Sequence, residues 1–492
     1  MKAIHELISY GLKHDLLNDI DVDYVNNQLS LFLACEVDPF KPSLLGKKSI
    51  LDILSPLIER AFELKLIPEN TVTYRDLIEA KIMDFIIARP SDFQKHFEEL
   101  YQISPQKATD DFYLKSIQTN YIKTHRIEKN ISYTVPSDYG KIHLTINLSK
   151  PEKDPKEIEK ALKEVKTSYP SCLLCKENVG FFGSLNHPGR SNHRVIKRML
   201  HHEPFYIQYS PYVYYNEHMI VLHEKHIPMN VNKKTFYRLF DFIDQFPHYF
   251  IGSNAGLPIV GGSILSHEHY QGGRHTFPIE DAHVLKSYEK AGVIYEILKW
   301  PLSVIRLKAS NKEALINQAE FLRQRWLTYQ NEHLGIFSST GKEPHNAITP
   351  IARKENETYI LDIALRNNKT NEQFPMGVFH PHPERHHIKK ENIGLIEVMG
   401  LAILPGRLKK DLEFIADVLT QKIETFDGIS LYDTWIQSLK KDFQPQSNAK
   451  DFVYLKAAEV FISGLEDCAV FKQNEEGFQA FNQFLVEALE CF

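Results

Sequence analysis

GGSILSHEHYQGG, residues Gly261–Gly273, is the stretch on which the reading turns. Ser266–Gln271 reads as a strand, and strand side chains alternate between faces, so His267, His269 and Gln271 fall on one side. Successive residues of that row stand about 6.6 Å apart. Such a row can meet a metal, a reacting phosphorus and a phosphate oxygen in turn. Gly261, Gly262 and Ser263 come just before it, and small residues let backbone N–H groups approach a phosphate. A neutral imidazole is a nucleophile at pH 7 when one ring nitrogen donates to a carbonyl and leaves the other free. The plainer alternative is a polar strand face that carries two histidines and a glutamine.

Outward from this stretch, residues 171–278 are short apolar runs broken by Gly, Pro, Asn and His: Phe205–Tyr209, His218–Leu222, Tyr249–Asn254 and Ser266–Gln271. One helix-like segment, Lys234–Phe246, lies among them. The texture is that of an α+β region with a mostly antiparallel sheet. The first 125 residues have helical spacing (Ile4, Leu7, Ile8, Leu12, Leu16; then Arg75–Ile87 and Asp110–Tyr121), followed by a hairpin of Ile131–Val135 and Lys141–Asn147 and a charged helix over Asp154–Thr167. A long helix is expected around Lys312–Leu334, strands at Ala347–Ile351 and Tyr359–Leu365, and helices through the last ninety residues. The expected division is a helical region 1–165, a first α+β unit 166–300, a second unit 301–405 and a helical region 406–492.

Composition limits the function classes. The 492 residues allow two to four domains, and 43% hydrophobic with 25% charged is globular. A formal charge of −5 gives no basic face for a nucleic-acid partner. The longest apolar run, Ile393–Pro405, contains Glu397 and is too short to span a bilayer. With no signal peptide at the N-terminus and only five cysteines, a reduced, cytoplasmic setting is expected. Cys172-Leu-Leu-Cys175 suits tetrahedral zinc if two further ligands are His or carboxylate. A thiol redox pair or two buried apolar cysteines are the other readings.

The run HMIVLHEKHIPM, residues 218–229, is a buried strand leaving through His-Glu-Lys-His. Together with H-x-H-x-Q it resembles the histidine-triad nucleotide-binding superfamily, and residues 171–273 look like its uridylyltransferase branch. YGLKHDLL (10–17), NHPGRSNHRVI (186–196), QYSPYVYYNEHMIVL (208–222), FPHYFIGSNAGLPIVGGSILSHEHYQGG (246–273) and HHIKKENIGLIEVMGLAILPGRL (386–408) resemble the class II galactose-1-phosphate uridylyltransferases over nearly the whole chain.

That resemblance implies two histidine-triad-like antiparallel-sheet units between helical extensions, and a double displacement. His269 attacks the α-phosphorus of UDP-glucose, glucose 1-phosphate leaves, and galactose 1-phosphate takes the uridylyl group. Gln271 hydrogen-bonds a phosphate oxygen. A structural zinc is held by Cys172, Cys175, His226 and His267. Asn254, Gly262 and Ser263 line the nucleotide site, Arg190 meets the diphosphate, and Lys390 and Glu397 resemble hexose-contacting positions, with a spacing that departs by one residue from the better-known branch. His380-Pro-His382, with Arg385, His386 and His387, corresponds to the second unit's own H-x-H, and a substrate-facing role is expected for it. The partners implied are UDP-sugars and hexose 1-phosphates; a homodimer fits the resemblance. Two rivals remain: a histidine-triad phosphorylase or adenylyltransferase acting on a purine nucleotide, and a non-catalytic, zinc-stabilised nucleotide-binding protein.

Overall fold

Why the chain folds as it does is clearest at one helix, Lys233–Gln245. Asn232 caps it, its side chain accepting from the Lys234 N–H, and Phe236, Leu239, Phe240 and Ile243 recur at helical spacing to form its buried stripe. The computed structural model describes residues 1–149 and 168–490; the helix expected over Asp154–Thr167 lies outside them. The fold class is α+β, as expected.

Fifteen strands are formed among the described residues. In chain order they are β1 (Ile131–Ser137), β2 (Gly140–Asn147), β3 (Ile196–Leu200), β4 (Glu203–Tyr209) and β5 (Met219–His223). Then come β6 (Phe250–Gly252), β7 (His269–Gly273), β8 (Val284–Lys290), β9 (Val293–Leu298) and β10 (Val304–Ala309). A two-residue hairpin, β11 (Ser339–Thr340) with β12 (Glu343–Pro344), precedes β13 (Asn346–Glu355), β14 (Thr358–Asn367) and β15 (Leu401–Pro405).

The chain divides into two compact units. The first comprises Met1–Glu128, Ser149–Val213 and Glu217–His226. Its helices bury Leu7, Ile8, Leu29, Ile53, Leu57, Ile82 and Met83, and its strands pair antiparallel in the order β3-β4-β5. The second comprises Lys129–Leu148, Tyr214–Asn216 and Ile227–Phe492. Here the strands run β7-β6-β13-β14-β10-β9-β8, every neighbour antiparallel. A separate sheet, β1-β2-β15, contains a parallel pair, β15 with β2. The core of this unit gathers Trp300, Ile351, Ala364, Ile393, Leu395, Val398 and Phe461.

Most expected elements form within a few residues of their predicted bounds; two differ. The helix from Lys312 stops at Thr328, and a 3-10 turn covers Glu332–Leu334. The strand carrying the histidines starts at His269, not Ser266. Before it the backbone bonds elsewhere, Glu268 N to Ile227 O at 2.6 Å and Met229 N to Leu265 O at 2.9 Å. No helix is long and apolar enough to cross a membrane among the described residues.

Candidate active site

His269 opens β7 and is buried. Its Nδ1 stands 2.8 Å from the His267 carbonyl oxygen. A carbonyl can only accept, so Nδ1 carries the proton and Nε2 keeps its lone pair. Burial pushes His269 down to about 4, against the upward pull of that carbonyl bond, so the ring is neutral at pH 7. Gln271 follows on the same face, opposite Gly252 of β6.

The alternate residues turn the other way. Glu268 and Tyr270 meet Arg238 of the Lys233–Gln245 helix: Arg238 Nη1 donates to Glu268 Oε1 at 2.7 Å and lies 3.1 Å from the Tyr270 hydroxyl, which also donates to Glu268 Oε1. All three are buried. They hold from behind the backbone that aims His267 and His269. Sequence reasoning missed Arg238, which lies thirty residues away with no motif around it.

Asn254 is buried, and its Oδ1 accepts the Leu395 N–H at 2.8 Å. Glycine is required at the loop beside it, because a Cβ on Gly262 would come within 2.7 Å of Asn254 Nδ2, and one on Gly261 within 2.4 Å of the Ala255 carbonyl. Ser263 is exposed. Glu397 is buried, its Oε1 accepting from Lys389 Nζ at 3.0 Å and its Oε2 from Gly394 N at 3.1 Å. Lys390 is exposed, whereas Lys389 is buried, so Lys389 is the lysine brought to Glu397. The one-residue offset in spacing was the available signal.

Arg190 belongs to the first unit, where it lines a cavity of about 400 Å³ together with Asn120, Tyr121 and Asn192. Its guanidinium sits over the Tyr121 ring, 5.3 Å from the centroid. The other cations on that wall are neutralised. Lys123 bonds Asp76 at 2.6 Å and Glu79 at 2.5 Å, and Arg126 grips Asp76 with two bonds of 2.7 Å. Arg190 makes no ion pair among the described residues.

The ligand atoms of Cys172, Cys175, His226 and His267 all lie within 4.8 Å of one another, the one such group among the described residues. The two sulfurs are 3.5 Å apart, and Cys175 Sγ is 3.2 Å from His226 Nδ1. Tetrahedral zinc with Zn–S near 2.3 Å would set sulfurs about 3.8 Å apart, so the donor set and its size fit that ion. Asn178 ties the turn, its Nδ2 donating to the Cys172 and Cys175 carbonyls at 2.9 and 2.7 Å. Burial first, then the hydrogen bond that its S–H donates to Cys172, pushes the Cys175 thiol up to about 12. A thiol held so high needs a cation to become a thiolate.

His380 and His382 stand in a loop after β14, on no strand. His380 Nε2 meets Asn392 at 3.2 Å, while His382 stacks on Phe374 and faces Asp467 at 3.5 Å.

Comparison with known proteins shows the family. Residues 42–228 match the family model for the galactose-1-phosphate uridyl transferase N-terminal domain, and residues 242–428 the model for its C-terminal domain. The chain belongs to the galactose-1-phosphate uridylyltransferase family. A galactose-1-phosphate uridylyltransferase of Clostridium perfringens (strain 13 / Type A) is 48% identical over 98% of this chain and 97% of its own length. That of Clostridium acetobutylicum is 47% identical, with 98% of each chain covered. That of Bacillus subtilis (strain 168) is 46% identical over 99% of this chain and 97% of its own.

Proposed function

We propose that this chain moves a uridylyl group from UDP-glucose to galactose 1-phosphate through a covalent intermediate on His269. The observation that carries the reading is the His269 ring, buried and neutral, with Nδ1 held by the His267 carbonyl and Nε2 left as the nucleophile. In the first displacement the Nε2 lone pair forms a bond to the α-phosphorus. The bond from that phosphorus to the bridging oxygen breaks, and glucose 1-phosphate leaves with the electron pair. The proton stays on Nδ1, donated to the His267 carbonyl oxygen, while the ring takes up positive charge. In the second displacement a phosphate oxygen of galactose 1-phosphate attacks the same phosphorus, and the N–P bond returns its electrons to Nε2. No proton has to be delivered to a leaving sugar phosphate, so a neutral amide suffices at Gln271, which donates to a non-bridging oxygen.

Arg190, with no ion pair among the described residues, takes the diphosphate, where a guanidinium offers two bonds at once. Asn254, Gly262 and Ser263 line the nucleotide, and Glu397 contacts the hexose beside Lys389, whose Nζ it holds, with Lys390 next along the chain. Zinc held by Cys172, Cys175, His226 and His267 would have no open position and would therefore be structural, supporting the loop that leads to His269. The enzyme works in the cytoplasm, and we assign it as a homodimer.

Intact-protein mass after mixing with UDP-glucose alone tests the reading. A gain of one uridylyl unit is expected, lost on adding galactose 1-phosphate and absent from His269→Ala. No gain with UDP-glucose, or an equal gain from ADP-glucose, would contradict it.

A further inference from the structure

Strand register identifies which residues share a face with the nucleophile. Gln271 pairs with Gly252, Gly252 with Ile351 and Ile351 with Asp362, which makes one row across β7, β6, β13 and β14. Two residues along from this row, on the same face and toward the same end, stand His269, Asn254, Thr349 and Ala364. One step further on β14 is Arg366. Three strand spacings separate β7 from β14, about 14 Å between backbones. That gap is one that two long side chains and a small ligand can fill.

Arg366 is anomalous on this face. It is 1% exposed, and among the described residues only Nη2 has a partner, the Ile393 carbonyl at 2.9 Å, while Nε and Nη1 have none. Thr349, also 1% exposed, leaves its Oγ1 without a partner among the described residues. The contrast is with Arg306 and Arg353 nearby, which both close on the Asp362 carboxylate at 2.6 to 3.1 Å. Buried donors of a charged group are expensive to leave unmade, so native proteins complete them. The carbonyl that Arg366 does hold belongs to the loop running into Gly394 and Glu397, and the Leu395 N–H of that loop is held by Asn254.

We propose that Arg366, flanked by the Thr349 hydroxyl, contacts the oxygen-rich hexose 1-phosphate end of the substrate, its open N–H groups donating to sugar or phosphate oxygens. The ligand class follows from the donors: a fixed cation with several N–H groups beside a hydroxyl selects a polyhydroxy anion. The inference rests on His269 being the uridylylated residue, since the shared face is measured from it.

Thr349→Val removes one hydroxyl at constant volume, and Arg366→Lys keeps the charge but not the planar donors. Steady-state KM for galactose 1-phosphate is measured for both, beside calorimetric affinity for UMP, which has no hexose. Losing a hydrogen bond to a neutral hydroxyl is expected to raise that KM about threefold in Thr349→Val, and losing those of a charged group about tenfold or more in Arg366→Lys. UMP affinity should hold in both. Should Arg366→Lys fail to fold, the Thr349→Val shift stands alone as the test. Unchanged KM in Thr349→Val and in any folded Arg366→Lys would mean that water alone completes these donors, and would overturn the proposal. Equal losses in KM and UMP affinity would overturn it too, as a general structural effect. If the wild-type chain takes no uridylyl group from UDP-glucose, it is the proposed function that fails instead.

Discussion

Replacing Arg238 by methionine removes a cation that never touches substrate, yet the structure predicts a large effect. Glu268 and Arg238 side chains are each 5% exposed and meet at 2.7 Å. Without Arg238, the Glu268 carboxylate stays buried and loses that guanidinium, while the Tyr270 hydroxyl still donates to it. Breaking a buried pair on one side costs about 3–5 kcal/mol, because the remaining charge stays buried without the cation that compensated it. At roughly 2–4 °C per kcal/mol for units of a few hundred residues, the melting midpoint should fall by at least about 6 °C. Because Glu268 lies between His267 and His269, uridylylation should slow as well. Adding Glu268→Gln to Arg238→Met removes the stranded charge and should recover about half of the lost stability. Differential scanning fluorimetry on the single and double variants reads this directly. A single variant within 2 °C of wild type, or no recovery in the double, would refute the claim that this ion pair braces the histidine strand.

Further expectations follow from other named contacts. Metal analysis of the purified chain should find about one zinc per chain; Cys175→Ser should lower both metal content and melting midpoint, and full stability without metal would contradict the structural role. Lys389→Met should raise the KM for galactose 1-phosphate more than Lys390→Met, because Lys389 alone reaches Glu397; equal effects would count against that pairing. Burial raises the Asp362 pKa, but Arg353 and Arg306 outweigh it and hold the carboxyl below its usual range. The stability this carboxylate contributes is therefore present above the ordinary carboxylate range and lost only as pH falls through the lowered value. Urea denaturation should show Asp362→Asn far less stable at pH 7 and the gap narrowing below pH 4; a constant gap would contradict the assignment.

Much of the site was legible because it is local. The Cys172–Cys175 turn, the His226 exit and the His267–Gln271 run announce themselves by spacing, and the family resemblance joined them into one donor set. Three strands, β8, β9 and β10, went unread between two motif-rich stretches; β8 is largely exposed and charged, so it shows no apolar alternation. The start of β7 was misplaced by three residues, because backbone bonds to Ile227 and from Met229 hold the preceding segment, and such long-range partners leave no periodic trace. Lys389 was hidden beside Lys390 for a related reason: which of two adjacent lysines turns inward is set by packing around Ile388 and Ile393, not by composition. Arg238 and Arg366 were unreadable. Each looks like an ordinary arginine on a helix or strand until the fold shows what surrounds it.

The central claim is that the uridylyl group rests on the protein between two separate displacements. Isotope exchange tests this most directly: labelled glucose 1-phosphate is mixed with UDP-glucose and enzyme, with no galactose 1-phosphate present. Label is expected to enter UDP-glucose at a rate comparable to overall turnover, and His269→Ala to abolish the exchange. Exchange that begins only when galactose 1-phosphate is added would mean that both sugars must be bound together, and would contradict a covalent intermediate on His269.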